Sequence, residues 1–168
     1  EMVDKLVTPE IITYNAGVSA CGVCGQWYHA LSLLTEMIEQ QVTPNIITYN
    51  AGVSACGVYD QWQRALSLLR DTGKFRLEPS VVCYNAAISA CEKCVQWEQA
   101  MCLLRELWEA TLEPDTISYA AGISACDKGG QWQRALSVLR QMRGLRVEPD
   151  AVGYTAGLCA CEAAGHWR

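Results

Sequence analysis

Histidine is nearly missing from this chain, and the groups that usually assemble around it are missing too. There are two, His29 and His166, and neither has a partner in sequence that would make it a general base. His29 falls among apolar neighbours of a predicted helix, while His166 takes the register filled elsewhere by Gln26, Gln61, Gln96 and Gln131. No glycine-rich phosphate loop, Ser/His/Asp set or helix-borne metal-ligand motif occurs. The expectation is therefore no catalytic residue, no metal and no cofactor. Apolar runs are short, none approaching the roughly 18 residues needed to cross a bilayer, so no membrane partner is expected. Basic charge is scarce, with 13 Lys and Arg against 18 Asp and Glu and a net charge of −5. That balance speaks against duplex DNA as a partner and leaves few cations for any other nucleic acid.

What is present is a period. Tyr14, Tyr49, Tyr84, Tyr119 and Tyr154 stand 35 residues apart, as do Cys21, Cys56, Cys91, Cys126 and Cys161, and Trp27, Trp62, Trp97, Trp132 and Trp167. Pro9, Pro44, Pro79, Pro114 and Pro149 keep the same spacing. A fixed period in this range means one supersecondary unit stacked on copies of itself, each too small to bury its apolar face alone. The second copy shows what the unit is. Ile46, Tyr49, Val53 and Cys56 lie on one helical face, and Trp62, Ala65, Leu66 and Leu69 on another, with Gly57 to Asp60 between them. Pro stops the second helix, and the residue after it (Asn45, Ser80, Asp115 or Asp150) can cap the next first helix.

The predicted fold is thus all-α, a right-handed α-solenoid of about 4.5 helix-turn-helix repeats. Residues 1–10 are the tail of a preceding copy, 11–45, 46–80, 81–115 and 116–150 are complete, and 151–168 open another. Such a piece is expected to expose apolar helix faces at its ends and to self-associate weakly.

Ten cysteines invite a metal or disulfide reading, above all Cys21 with Cys24 and Cys91 with Cys94. Those pairs sit two repeats apart, too far for four thiolates to meet on one ion. The 35-residue series is likewise too widely spaced for disulfides, so the cysteines read as small buried packing residues, with Cys159 and Cys161 as candidate reactive thiols. Glu113, Asp115, Glu148 and Asp150 read as solvated linker charges.

The first helix of each copy carries a second row beside its buried stripe. Its second residue is Ile12, Ile47, Val82, Ile117 or Val152, its fifth Asn15, Asn50, Asn85, Ala120 or Thr155, and its ninth Ser19, Ser54, Ser89, Ser124 or Cys159. Aliphatic, amide and small hydroxyl groups repeated along a superhelix suit flat, polar-edged objects held one per step, such as unpaired bases. Capping by the Asn side chains is the competing reading of the same residues.

With its 35-residue unit, the opening Ile47-Thr48-Tyr49-Asn50, the Ala-Leu pairs at Ala30, Ala65 and Ala135, and the Pro-Asp endings at Asp115 and Asp150, the whole chain resembles the pentatricopeptide repeat family. Tetratricopeptide repeats have a period of 34, which leaves a protein-binding scaffold as the alternative. The resemblance implies sequence-specific binding of single-stranded RNA, one base per repeat, in organellar (mitochondrial or chloroplast) RNA processing, stability, editing or translation. Protein partners or further repeats beyond the chain fit the same resemblance. In that family the fifth and last residues of a repeat meet the base edge and the aliphatic second residue packs on base faces. Carried over, the reading pairs are Asn15 with Asn45, Asn50 with Ser80, Asn85 with Asp115, and Ala120 with Asp150, while Thr155 has no partner in the chain. They imply a pyrimidine leaning to cytosine, then cytosine, uracil and an undefined base, running 5′ to 3′.

Lys93 and Lys128 are the only basic residues on any first helix and are the expected phosphate contacts. Most arginines (Arg64, Arg70, Arg105, Arg134, Arg140) fall on second helices, where a solvated outer face is expected. Gly17, Gly52, Gly122 and Gly157 interrupt first helices and are expected to let neighbouring first helices approach. The tryptophans are expected to anchor one helix to another.

Overall fold

The computed structural model describes residues 10–57, 61–145, 147 and 151–163. These form first helices α1 (Ile11–Val23), α3 (Ile46–Cys56), α5 (Val81–Lys93), α7 (Thr116–Lys128) and α9 (Ala151–Ala163). Between them run second helices α2 (Trp27–Glu39), α4 (Trp62–Lys74), α6 (Trp97–Glu109) and α8 (Trp132–Gly144). The stripes named in the second copy are the ones buried. Tyr49, Val53 and Cys56 of α3 and Ala65, Leu66 and Leu69 of α4 all lie in the core.

The packing is layered and strictly between neighbours. Successive first helices rest on one another, and α3, α5 and α7 each also rest on the second helices before and after them. Among the described residues the backbones of successive second helices stay apart, bridged by long side chains. First helices that crowd while second helices splay put the first helices on the inner, concave wall. Cys56, Cys91 and Cys126 are fully buried there, and burial pushes their thiols up to about 11, 12 and 11, so they fill space as neutral side chains. Cys21 is half-buried and Cys159 exposed; the side chain of Cys161 lies outside the described residues.

Helices end by a repeated device. After α2, Gln41 takes φ 60°, its N–H meets Ile38 O at 3.0 Å, and Val42 N–H reaches back to Met37 O at 2.9 Å. Left-handed closure of this kind satisfies the last carbonyls and favours glycine. Gly25 and Gly130 supply it after α1 and α7, but Val95 does so after α5 at φ 57°, where a branched Cβ is strained.

The glycine expectation needs correction. A Cβ on Gly52 would sit 2.9 Å from Leu34 Cδ1 and 3.3 Å from Leu68 Cδ1, and one on Gly17 or Gly122 would meet Leu33 or Leu104. These gaps admit second-helix leucines, because each first helix is wedged between the second helices on either side of it. Close approach of first helices happens five residues later: a Cβ on Gly22 would lie 3.3 Å from Ala51 O, and one on Gly57 3.5 Å from Ala86 O. Gly157 lies outside the described side chains.

Two stability predictions follow from these sites. Gly52→Leu should cost about 2–3 kcal/mol by overpacking, whereas in Gly52→Ala the mobile leucine tips can shift and the gain in helix propensity of about 1 kcal/mol offsets the crowding; thermal melts of both variants check this. Val95→Gly should stabilise by about 1 kcal/mol, raising the melting temperature by roughly 2–4 °C, and an unchanged melt would refute the strain.

Candidate nucleic-acid interface

On the inner wall the second residue of α1, α3, α5 and α7 stands out in solvent. Ile12 is 72% exposed, Ile47 56%, Val82 61% and Ile117 61%. The side chain of Val152 lies outside the described residues. Packing does not call for an aliphatic at these places, since each projects away from the core. The row therefore has the character of a contact surface kept open.

Beside each aliphatic lies the polar pair expected from the sequence. Asn15 Nδ2 donates to Asn45 Oδ1 at 3.4 Å, and Asn50 Nδ2 to Ser80 Oγ at 3.4 Å. Asn85 Nδ2 lies 3.1 and 3.2 Å from the two oxygens of Asp115. Three pairs, each 30 residues apart in sequence, are thus brought into contact. Ala120 is buried and Thr155 exposed, its hydroxyl turned back to Ala151 O at 2.6 Å. Asp150 lies outside the described residues.

Helix geometry places each pair between two aliphatics. Ile12 precedes Asn15 by one turn of α1, and Asn45 caps α3, whose second residue is Ile47. The same holds for Asn85 and Asp115 between Val82 and Ile117. Each slot therefore has apolar flanks and a polar floor, about the requirement of one unpaired base.

The capping reading and the binding reading prove to be the same geometry seen from two sides. Asn45 Oδ1 accepts Thr48 N–H at 3.1 Å, and Thr48 Oγ1 accepts Asn45 N–H at 3.1 Å, a capping box. Asp115 and Ser118 repeat it on α7, at 2.8 and 3.2 Å. Ser80 begins α5 without a side-chain cap. Where a side chain caps, at Asn45 and Asp115, it is the last residue of a repeat; the fifth-residue asparagines lie inside the helix. Sequence reasoning missed Thr48 and Ser118 as members of the site. Their hydroxyls donate to Asn15 Oδ1 and Asn85 Oδ1. The signal was available as Asn-x-x-Thr and Asp-x-x-Ser, the spacing of a capping box.

Charge around the slots departs from expectation. Lys128 Nζ lies 2.9 Å from Glu92 Oε1, which also accepts the Ser124 hydroxyl at 2.7 Å. Lys128 is therefore matched within the protein and joins α5 to α7, which makes it a poor phosphate contact as it stands. Lys93 is exposed at the end of α5. The arginines also need correction: Arg64 lies 4.5 Å over the Trp27 ring and Arg134 4.7 Å over Trp97. They are exposed, yet each clasps the tryptophan of the preceding repeat, for about 0.5–1 kcal/mol. The tryptophans themselves are half-buried against the core at the start of the second helices, so they do anchor one element to another. His29 is exposed, edge-on to Tyr28 at 5.9 Å, not enclosed by apolar groups; His166 lies outside the described residues. Asp115 is committed to its cap, Glu113 is exposed, and Glu148 is not described.

The sequence profile of the pentatricopeptide repeat domain matches residues 1–59 and 102–162, and that of the PPR repeat matches 82–111. The chain belongs to the pentatricopeptide repeat family. No curated protein matches this pentatricopeptide repeat chain. Among solved structures, it is similar to the maize pentatricopeptide repeat protein PPR10, at 26% identity over 95% of this chain and a TM-score of 0.75. PPR10 in complex with an 18-nt psaJ RNA element matches at the same 26% identity, over 98%, with a TM-score of 0.84. The chain spans 23–24% of the length of those two structures. The PPR domain of Arabidopsis thaliana protein-only RNase P 1, in complex with tRNA, matches at a TM-score of 0.80 over 94% of this chain and 83% of that one; at 16% identity the likeness is one of fold.

Asp115 gives the site a pH signature. Burial pushes its carboxyl up, but hydrogen bonds from Ser118 backbone and hydroxyl, the Asn85 amide and the Ile117 backbone outweigh it and hold the group below its ordinary 3.8. A lowered folded value means that the stabilisation is full above the unfolded value, about 3.9, and is lost as pH falls through the folded one. Native chain should therefore melt above Asp115→Asn by a margin that is constant from pH 8 to about 5 and shrinks below about pH 4. Melting curves across that range check it, and a margin that changed near neutrality would refute the assignment.

Proposed function

We propose that this pentatricopeptide repeat chain binds single-stranded RNA, one base per repeat, in the slots between consecutive first helices, and performs no catalysis itself. The observation that carries the reading is the recurrence of an exposed aliphatic beside a hydrogen-bonded pair from the fifth and last residues of a repeat. The solved complex of PPR10 with an RNA element, similar across nearly the full length of this chain, supports it. The pairs favour a pyrimidine leaning to cytosine at the first slot, cytosine at the second and uracil at the third, read 5′ to 3′. Asp115 suits uracil because a carboxylate accepts the imino proton. Ala120 brings no polar group to the fourth slot, which discriminates poorly. The role proposed for such binding is organellar RNA processing, stability, editing or translation, as the family suggests.

Affinity comes from stacking against aliphatics and from base-edge hydrogen bonds more than from charge, with Lys93 and Lys128 as the exposed lysines of the first helices, Lys128 already paired with Glu92. Single strands carrying the pyrimidine core should bind more tightly than purine strands of equal length, and Asn85→Ala should lower uracil preference at the third base about tenfold. Titrations at several salt concentrations should give a log–log slope no steeper than about −1.5, the release expected from two phosphates on a single strand. A slope equal to six or more phosphates would place the strand on another surface, and equal binding of all sequences or of peptides would favour a scaffold for proteins.

A further inference from the structure

The three reading pairs are unequal, and the inequality originates in the residue that follows them. In the first and third pairs a hydroxyl closes the arrangement, Thr48 on Asn15 and Ser118 on Asn85. Each hydroxyl oxygen also accepts the N–H of the capping residue, at 3.1 Å from Asn45 and 3.2 Å from Asp115. Its one proton has two acceptors in reach, the amide oxygen and, farther off, the capping residue's Oδ1 at 3.0 Å for Asn45 and 2.9 Å for Asp115, and the nearer of them is the amide oxygen. With Oδ1 held, Nδ2 faces the last residue of the repeat and the amide has a single orientation. Asp115 reinforces that choice, because an ionised carboxylate only accepts.

The second pair lacks the third member. Cys83 stands 33 residues after Asn50, as Thr48 does after Asn15 and Ser118 after Asn85. It is a fully buried thiol and a weak donor. Asn50 Oδ1 is buried and has no hydrogen-bond partner, an uncommon condition in a folded protein that calls for an explanation. Ser80 both donates and accepts, so an Asn50 amide turned over by half a turn keeps a bond to it. Nothing in this pair selects one orientation.

We propose that the third residue of each following first helix is a specificity-determining positioning residue. A hydroxyl there locks the reading amide with Oδ1 held and Nδ2 on the side of the last residue of the repeat, whereas Cys83 leaves Asn50 able to present donor or acceptor. The second repeat consequently separates cytosine from uracil less sharply than the third. Cytosine offers an acceptor and an amino donor, uracil a carbonyl acceptor and an imino donor, and an amide that turns over matches both. This inference rests on the base-reading function proposed above.

The test uses the full chain and RNA strands that differ only in cytosine or uracil, first at the second base and then at the third. The native ratio of dissociation constants should stay within about threefold at the second base and exceed it at the third. Cys83→Ser should raise the second-base ratio about fivefold, and Ser118→Ala should lower the third-base ratio by a similar factor. Cys83→Thr, which copies Thr48, serves if the serine variant folds poorly. A merely structural loss would weaken both strands by one factor and leave the ratio still. Native discrimination at the third base with ratios unmoved in both variants would overturn the positioning role alone. A native chain that distinguished no base at any slot would overturn base reading itself, and this inference with it.

Discussion

The residue that links one repeat to the next first helix is the joint on which the proposed recognition surface depends. An α-helix leaves its first N–H groups without partners, and at α3 and α7 a short polar side chain from the end of the preceding repeat, Asn45 or Asp115, supplies an acceptor. The same side chain holds the fifth residue of that preceding repeat, at 3.4 Å for Asn45 and 3.1 Å for Asp115. One residue thus fixes where a helix begins and what stands at the floor of a slot. The residues that cap well, Asn, Asp and Ser, are also short side chains with different donor and acceptor inventories. Helix capping therefore limits the alphabet from which a reading position can be drawn, and it keeps each slot in register with the backbone.

A surface of this kind works with little net positive charge. The arginines at Arg64 and Arg134 clasp tryptophans of the preceding repeat, and Lys128 is matched by Glu92. These cations join repeats to one another, which leaves the exposed aliphatic row and the amide floors to meet a ligand. A strand held as proposed would be bound through its bases. An acidic chain with pI about 5.0 is consistent with such contacts, since neither face stacking nor edge hydrogen bonding requires a cationic field.

Most of the architecture was legible because it is periodic. Tyrosine, cysteine and tryptophan at 35-residue spacing mark the buried stripes directly, and Pro followed by a short polar residue marks the joints. The pairing of Asn15 with Asn45, Asn50 with Ser80 and Asn85 with Asp115 followed from the family pattern. What escaped were contacts between residues whose side chains have several uses. Thr48 read as part of the opening motif Ile47 to Asn50, although its hydroxyl faces an amide of the neighbouring repeat. Gly52 read as a first-helix contact, because spacing on one helix does not reveal that the leucines of two second-helix neighbours converge on it. Arg64 and Arg134 read as solvated, since a position on the outer face says nothing about a tryptophan 37 residues earlier.

Nearest-neighbour packing also decides how far a local defect spreads. Every first helix touches only the first helices on either side and the second helices beside it, so stability is close to a sum of repeat and junction terms. The missing hydroxyl at Cys83 then weakens one junction, between the second and third copies, while the hydrogen-bonded sets at Thr48 and Ser118 belong to the junctions on either side of it. A solenoid built in this way can carry a sharp slot next to a permissive one without either altering the other. Graded discrimination along one strand is in that sense a property of the stacking, available wherever a single residue at a joint is exchanged.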